Sequence, residues 1–286
     1  DVYKRQLLLF ASIFASYARS AWLGLGAVIV IMPILLRIKY AYYIWGVILL
    51  IFLITYFIHP DLLFRHGAVD YVDDSGAWVE DPDAVDLNAQ GRAQATEMGR
   101  LFANVHVDKA VCSGFPRTVQ TGELILGERG LELETVSELR EIRHGSGEVS
   151  GGYDICSDVA FSHWRAPQED ATFLGGERYH DFYVRISAAV ERLLADDSWH
   201  DLAVFAHGGT NAAVLGWATG VGLQAFGLLD QATCCLNILD FDFDTSGRLV
   251  RKTVRGMNIT ADDPVKHRRD AGDMELLATR LLKMHS

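Results

Sequence analysis

Leu62-Leu63-Phe64-Arg65-His66-Gly67 runs from three large apolar side chains straight into an arginine, a histidine and a glycine. An apolar run of this kind, opening at Asp61, reads as a buried strand, and the triplet after it as a turn. Phe205-Ala206-His207-Gly208 repeats the pattern far downstream. A histidine held at a strand end beside an arginine is placed to attack phosphorus. The arginine's planar fork of donors matches a pair of phosphoryl oxygens. Gly67 allows the backbone to approach an anion closely and to take unusual dihedrals. Three residues alone match by chance, so the reading depends on the other parts of a phosphate site.

Outward from this stretch, residues 70–86 are rich in Asp, Gly and Pro and read as a surface loop. Asn88 is an N-cap candidate, and Ala95, Met98, Leu101 and Phe102 recur after it at helical spacing. Lys109–Cys112 reads as a strand and Thr118–Leu126 as a short helix. Glu177–Leu194 reads as a longer helix with Phe182, Ile186, Val190 and Leu193 on one face. Leu202–Ala206 is a continuous apolar strand, followed by a helix over Asn211–Thr219. Leu236–Phe243, a turn at Asp244–Gly247 and Arg248–Val254 read as two strands returning on each other, and Met274–Lys283 as a closing helix. Strands alternating with helices predict an α/β fold, three-layer α/β/α with a mostly parallel central sheet. In such sheets the chemistry collects at the carboxyl ends of the strands, where His66, Ser113 and His207 all fall.

The chain has 286 residues, half of them hydrophobic, and a net charge of −11. Residues 1–60 carry +4, so residues 61–286 carry −15. So acidic a domain argues against nucleic acid as a partner, because its phosphate backbone needs clustered cations. A small phosphate ester needs only a few local arginines. Cys112, Cys156, Cys234 and Cys235 form no CxxC pair and no zinc-ligand spacing, and read as buried hydrophobes in a reducing compartment.

Asp1–Gln6 reads as a scar outside the fold. Tyr40–Ile58 is uncharged over nineteen residues. As a helix it would span roughly 28 Å, close to the hydrocarbon thickness of about 30 Å, with tyrosines and Trp45 toward its ends. Ala21–Leu36 is a candidate second span. Two domains are therefore expected. Residues 1–59 form a hydrophobic membrane anchor of one or two helices, touching the membrane through residues 20–58, and residues 60–286 form a catalytic domain. Arg37 and Lys39 between the two runs would put the domain outside by the positive-inside rule. The free cysteines and the phosphate chemistry favour the cytoplasmic side.

Four separated segments now agree: Arg65-His66-Gly67; Leu87-Asn88-x-x-Gly91-Arg92-x-Gln94-Ala95; Ser113-x-x-x-Arg117-Thr118-x-Gln120-Thr121; and Phe205-Ala206-His207-Gly208. Together they resemble the histidine phosphatase superfamily, with its phosphoglycerate-mutase-like fold, over roughly residues 61–260. Leu139-Arg140-Glu141-Ile142-x-x-Gly145 resembles the segment carrying that family's proton donor. Gly175-Gly176-Glu177, with Arg185 after it, resembles its Pro-Gly-Glu-Ser loop. The resemblance implies that neutral His66 becomes phosphohistidine, its other ring nitrogen held by a backbone carbonyl. It implies that Arg65, Arg117 and His207 surround the phosphoryl oxygens, with Gly67 and Gly208 beside them. Glu141 would protonate the leaving alkoxide, its pKa raised by burial. Ser113 and Glu177 are further candidates, and no metal or other cofactor is implied.

The sequence departs from the family in places. Ala68-Val69-Asp70-Tyr71-Val72 stands where the family often has Glu/Gln-Thr-x-x-Asn, so that part of the phosphate shell is thinner or rebuilt. Arg178 replaces the serine after Glu177, which weakens that assignment. Arg143 and His144 stand either as ligands of a second anionic group or as a solvated loop. The extended segment of cofactor-dependent mutases is missing after Glu141, which favours hydrolysis over phosphoryl return. The expected function is a phosphomonoester hydrolase for a small phosphorylated metabolite. Its rivals are a mutase of the same fold and a weakly active module that binds a phosphorylated partner. Asp240-x-Asp242-x-Asp244 lacks the glycine and glutamate of a calcium loop and reads as strand. Arg248, Arg251, Lys252 and Arg255 read as a solvated basic run, and His163, His180 and His200 as surface residues.

Overall fold

The computed structural model describes residues 61–71, 79–145, 155–264, 266, 272 and 274–279. The hydrophobic helices expected over residues 1–59, and with them both candidate membrane spans, lie outside the described residues. Among the described residues no helix is long and apolar enough to cross a membrane.

Six strands form one sheet: β1 (Asp61–Arg65), β2 (Lys109–Cys112), β3 (Leu133–Thr135), β4 (Leu202–Ala206), β5 (Leu236–Phe243) and β6 (Leu249–Ile259). Their order is β3-β2-β4-β1-β5-β6. The first four are mutually parallel; β5 pairs antiparallel with β1, and β6 with β5. Among the described residues the helices include α1 (Ala89–Phe102), α2 (Pro116–Leu126), α3 (Ile155–Ala160), α4 (Tyr179–Leu194), α5 (Gly208–Thr219) and α6 (Ala225–Leu228), and residues 274–279 of the expected closing helix are helical.

Successive strand side chains point to opposite faces, and both faces are covered. Leu62 and Phe64 of β1 join Ala110, Cys112, Ala203 and Phe205 under Ala95, Met98 and Phe102 of α1 and Ile125 of α2. Leu63 joins Val111, Leu202 and Val204 on the other face, under Phe182 and Ile186 of α4 and Leu215 of α5. Burial on both faces is why β1 and β4 read as unbroken apolar runs rather than alternating ones. Phe64 stacks on Phe205 at 4.9 Å and meets the edge of Phe102 at 5.2 Å. Side chains of this kind contribute roughly 1.5–3 kcal/mol each on burial, and these three fix the sheet against α1 directly behind the Arg-His-Gly turn.

The boundaries move where local composition misleads. α2 begins at Pro116, in the first turn where a missing N–H costs nothing. α5 begins at Gly208, three residues before the expected Asn211. Its two opening glycines are poor helix formers, and the helix is buried on almost every side, so no polar face marks its course. β3 was not expected: Glu134 and Thr135 are exposed, and a three-residue edge strand has no alternation to read. Asp240, Asp242 and Asp244 pair with Arg255, Arg251 and Arg248. The basic run is exposed, and its arginines balance the aspartates of β5 and the turn after it. His163 is also not an ordinary surface residue. It is half-buried, its Nδ1 lies 3.0 Å from the Tyr179 hydroxyl, and it packs against Phe173 and Phe226. Cys112, Cys234 and Cys235 are buried and form no disulfide with one another.

Asp61 opens β1 from a buried position, and its Oδ1 has no hydrogen-bond partner. Burial, reinforced by the nearby Asp201, Asp240 and Asp108, pushes its carboxyl up to about 8. The folded state thus keeps a proton that the unfolded chain releases near the ordinary carboxylate value of about 4. Stability is accordingly lost as pH rises from about 4 to about 8, and the loss levels off above that. Asp61→Asn should remove a destabilisation of a few kcal/mol at pH 9 and much less at pH 5. Urea midpoints at the two pH values would check this; parallel pH dependence in the two proteins would reject it.

Candidate active site

Strand order brings the site together. β2, β4 and β1 are neighbours in the sheet, so the residues that follow them, Ser113, His207 and His66, emerge side by side at one edge. The parallel ladder continues into the turns, with Ser113 N donating to Phe205 O and His66 N to Ala206 O. His207 sits between the other two. Its Nε2 lies 2.8 Å from Ser113 Oγ, and its ring centre is 5.2 Å from that of His66. Both imidazoles are buried.

His66 Nδ1 lies 2.7 Å from Gly67 O. A carbonyl only accepts, so Nδ1 carries the proton and Nε2 keeps its lone pair. Burial first, then the charges of Arg117 and Arg65, hold His66 well below the usual imidazole range. It is therefore neutral at physiological pH, as a nucleophile must be. Burial and Arg117 do the same to His207, whose Nδ1 is buried without a hydrogen-bond partner.

Gly67 is needed for a reason other than the one its sequence suggests. It has no positive φ, and its N–H donates to Thr121 Oγ1 rather than remaining open to an anion. A Cβ at Gly67 would lie 2.5 Å from Gly91 O, and one at Gly91 would lie 2.1 Å from Ala68 O. The turn and the start of α1 therefore press backbone against backbone. The motif glutamines and Asn88 secure this contact. Gln94 Oε1 accepts from Ala68 N, Gln120 Oε1 from Leu87 N, and Asn88 Oδ1 caps α1 at Gly91 N. Gly208 opens α5 beside Arg65, whose Cζ would be 3.2 Å from an added Cβ.

Arg117 is only 2 % exposed. Its Nη1 donates to Pro82 O at 2.9 Å, and its guanidinium lies 4.7 Å from the Phe115 ring centre and 5.9 Å from that of Tyr71. Arg65 donates to Gln231 O. Gln231 is held in turn by buried amides: its Oε1 accepts from Asn237 Nδ2 at 2.8 Å and from Asn211 Nδ2 at 3.2 Å. Glu141 is not wholly enclosed, yet burial outweighs its other influences and raises its pKa. Backbone N–H groups of Ile142 and Gly209 and the two arginines oppose that rise. Its Oε1 accepts from Ile142 N and its Oε2 from Gly209 N, each at 3.0 Å.

Glu177 stands apart from this group. It is paired with Arg185, accepts from Arg143 N at 3.1 Å, and donates its own N–H to Arg143 O. Arg185 Nη1 donates to Glu138 O and Arg140 O. The pair clamps the loop on both sides of Glu141, so Glu177 is a support of the site rather than a ligand of the anion. Sequence reading missed Tyr71, Gln231, Asn211 and Asn237. Tyr71 occupies the position range where the family's asparagine is lacking, and burial raises its phenol pKa, leaving it a neutral donor. Asn237, a polar residue inside an apolar strand, was the visible signal for the amide network. At the opposite edge of the sheet, His106, Asp108 and Asp201 bring ligand atoms within 4.8 Å of one another. Asp108 there accepts from the backbone of His200 and Asp201, the work of a loop staple.

The sequence model of the histidine phosphatase superfamily (branch 1) matches residues 62–253, more than half of the chain. The chain belongs to the histidine phosphatase superfamily. It is 25 % identical over 220 residues to a 2-carboxy-D-arabinitol-1-phosphatase of Triticum aestivum, covering 74 % of this chain and 43 % of that protein. The chain therefore spans less than half the length of this wheat relative. It is 25 % identical over 158 residues to the adenosylcobalamin/alpha-ribazole phosphatase of Escherichia coli K12, covering 54 % of this chain and 78 % of that one. Among solved structures, a mycobacterial glucosyl-3-phosphoglycerate phosphatase superposes with a TM-score of 0.58 at 20 % identity, over 70 % of this chain and 99 % of the other. As a superfamily member with this fold, the chain carries a six-stranded mixed α/β sheet like that of its structural neighbours.

Proposed function

We propose that the chain is a phosphomonoester hydrolase that works on a small phosphorylated metabolite through a phosphohistidine at His66. The observation that carries this reading is the His66 ring itself. It is buried, neutral, locked by Gly67 O with its Nε2 lone pair free, and it faces a second imidazole and a buried arginine. The relatives' names, all phosphatases of small metabolites, support the substrate class.

In this mechanism Nε2 of His66 attacks phosphorus and the bond to the leaving oxygen breaks. Glu141, whose pKa burial raises, is the acid that gives that oxygen its proton. Arg65, Arg117 and His207 hold the three non-bridging oxygens while charge shifts among them, so the protein contributes positioning and electrostatic stabilisation. Water then attacks the phosphohistidine, Glu141 takes its proton, and inorganic phosphate leaves with His66 restored. The sequence after Glu141 lacks the extended segment of cofactor-dependent mutases, which favours hydrolysis over phosphoryl return. Membrane attachment through residues 20–58, with the domain on the cytoplasmic side, belongs to the same proposal. It rests on the uncharged run Tyr40–Ile58 and on cysteines without CxxC or zinc-ligand spacing, and a reporter fused to the C-terminus reads the side. The test of activity is phosphate release by the full chain across a panel of phosphorylated metabolites in the presence of a chelator. Turnover of one or more is expected; release of no phosphate from any, nor from p-nitrophenyl phosphate, would overturn the proposal.

A further inference from the structure

We infer that Arg140 reads a carboxylate on the alcohol portion of the substrate, so that the preferred substrates are phosphate esters of hydroxy acids. This deepens the hydrolase reading and rests on it.

Arg140 directly precedes Glu141, the residue that meets the leaving oxygen. Its guanidinium comes to the same side of the site through the Phe115 ring. The backbone there is fixed: Arg140 O accepts from Arg185 Nη1 at 3.0 Å, and Arg140 N donates to Ser137 O. The guanidinium lies 5.3 Å from the Phe115 ring centre. The same ring packs 5.3 Å from the ring of His207 and carries Arg117. Arg140 is thus held one aromatic ring away from the phosphate pocket, and its exposed fork is preorganised by stacking.

The second observation is what Arg140 lacks. The chain is strongly acidic, and guanidinium groups such as those of Arg178, Arg192 and Arg251 find carboxylates. Among the described residues Arg140 has no carboxylate and no hydrogen-bond acceptor for its side chain. Both nearby candidates are engaged elsewhere: Glu138 by Arg192, and Glu141 by the N–H groups of Ile142 and Gly209. Arg143, the cation singled out by sequence, lies 3.7 Å from Glu177 and is 79 % exposed, so its charge is partly answered within the protein. His144 Nδ1 lies against Gly145 O. A single planar fork suits a carboxylate's one charge and two oxygens. A second phosphate would call for more than one cation, as the first site provides with Arg65 and Arg117.

The test compares 3-phosphoglycerate with glycerol 3-phosphate, esters of one skeleton that differ in the carboxylate. For the unaltered chain kcat/KM should favour the acid by roughly 10–100-fold, the range expected of a charge-assisted hydrogen-bonded pair. In Arg140→Gln the ratio should fall toward one, mainly through KM for the acid, and Arg140→Lys should keep part of it. Each ratio is taken within one preparation, so a smaller folded fraction cancels. A ratio near one in the unaltered protein, or a preference that survives Arg140→Gln, overturns the inference. Release of phosphate from neither ester nor from p-nitrophenyl phosphate overturns the hydrolase reading itself and this inference with it.

Discussion

Replacing His66 by alanine should lower turnover by a factor on the order of 10⁴–10⁶, as removal of a covalent nucleophile does, and should abolish a phosphoprotein that is labile in acid and stable in base. The expectation follows from the tautomer. With Nδ1–H bound to Gly67 O, the nucleophilic lone pair belongs to Nε2. His207 is the only other imidazole beside it among the described residues, and its Nε2 is engaged by Ser113. The same geometry sets a pH dependence. Because burial and two guanidinium groups keep His66 neutral well below the ordinary imidazole pKa, turnover should not fall as pH drops from 8 to 6.5. Quenched-flow trapping with labelled p-nitrophenyl phosphate measures the phosphoenzyme, and circular dichroism controls for folding. Near-normal turnover in the variant, or a phosphoprotein that persists in it, would remove His66 as nucleophile.

The residues that sequence made legible are those whose chemistry and backbone position coincide. β1, β2 and β4 are short apolar runs buried on both faces, and each is followed directly by a polar residue with its own chemistry: His66, Ser113 and His207. That convergence of pattern and chemistry does not depend on where loops travel. Arg117 was visible for a related reason, since it lies in the first turn of a helix that starts just past β2. Its depth of burial was not visible, because that is set by loop carbonyls at Pro82 and Asp83.

What stayed hidden acts through other residues. Gln231 holds Arg65 by a backbone oxygen, a function any residue type could perform, so only its amide partners Asn211 and Asn237 hint at it. Glu177 shows the opposite error. Its motif suggested a place in the site, whereas its carboxylate faces Arg185 and the Arg143 backbone. Gly67 kept its importance but changed its reason: a close packing of two backbones, not an open N–H or a strained dihedral. In each case the deciding quantity is a tertiary distance, which periodicity and spacing do not carry.

Glu141→Gln should separate substrates by leaving group. An alkoxide leaves only if it is protonated, so kcat/KM for an alkyl phosphate should drop on the order of 10²–10⁴-fold, the usual contribution of a positioned general acid. p-Nitrophenolate leaves unaided, and kcat/KM for its ester should drop far less. The comparison is made in kcat/KM, which ends at phosphoenzyme formation; kcat also contains the later step in which Glu141 deprotonates water. Glutamine is not an innocent replacement. Both carboxylate oxygens accept backbone N–H bonds, from Ile142 and Gly209, and the amide nitrogen would face one of those donors, at a cost of about 1–3 kcal/mol. Glu141→Ala avoids the opposed donors and should reproduce the same split. The pH profile supplies an independent reading. The proton is present below the raised pKa of Glu141 and lost above it, so alkyl ester hydrolysis by the unaltered protein should decline on the alkaline side, and that limb should vanish in both variants. Equal losses on the two esters, with the alkaline limb retained, would mean that the proton comes from elsewhere.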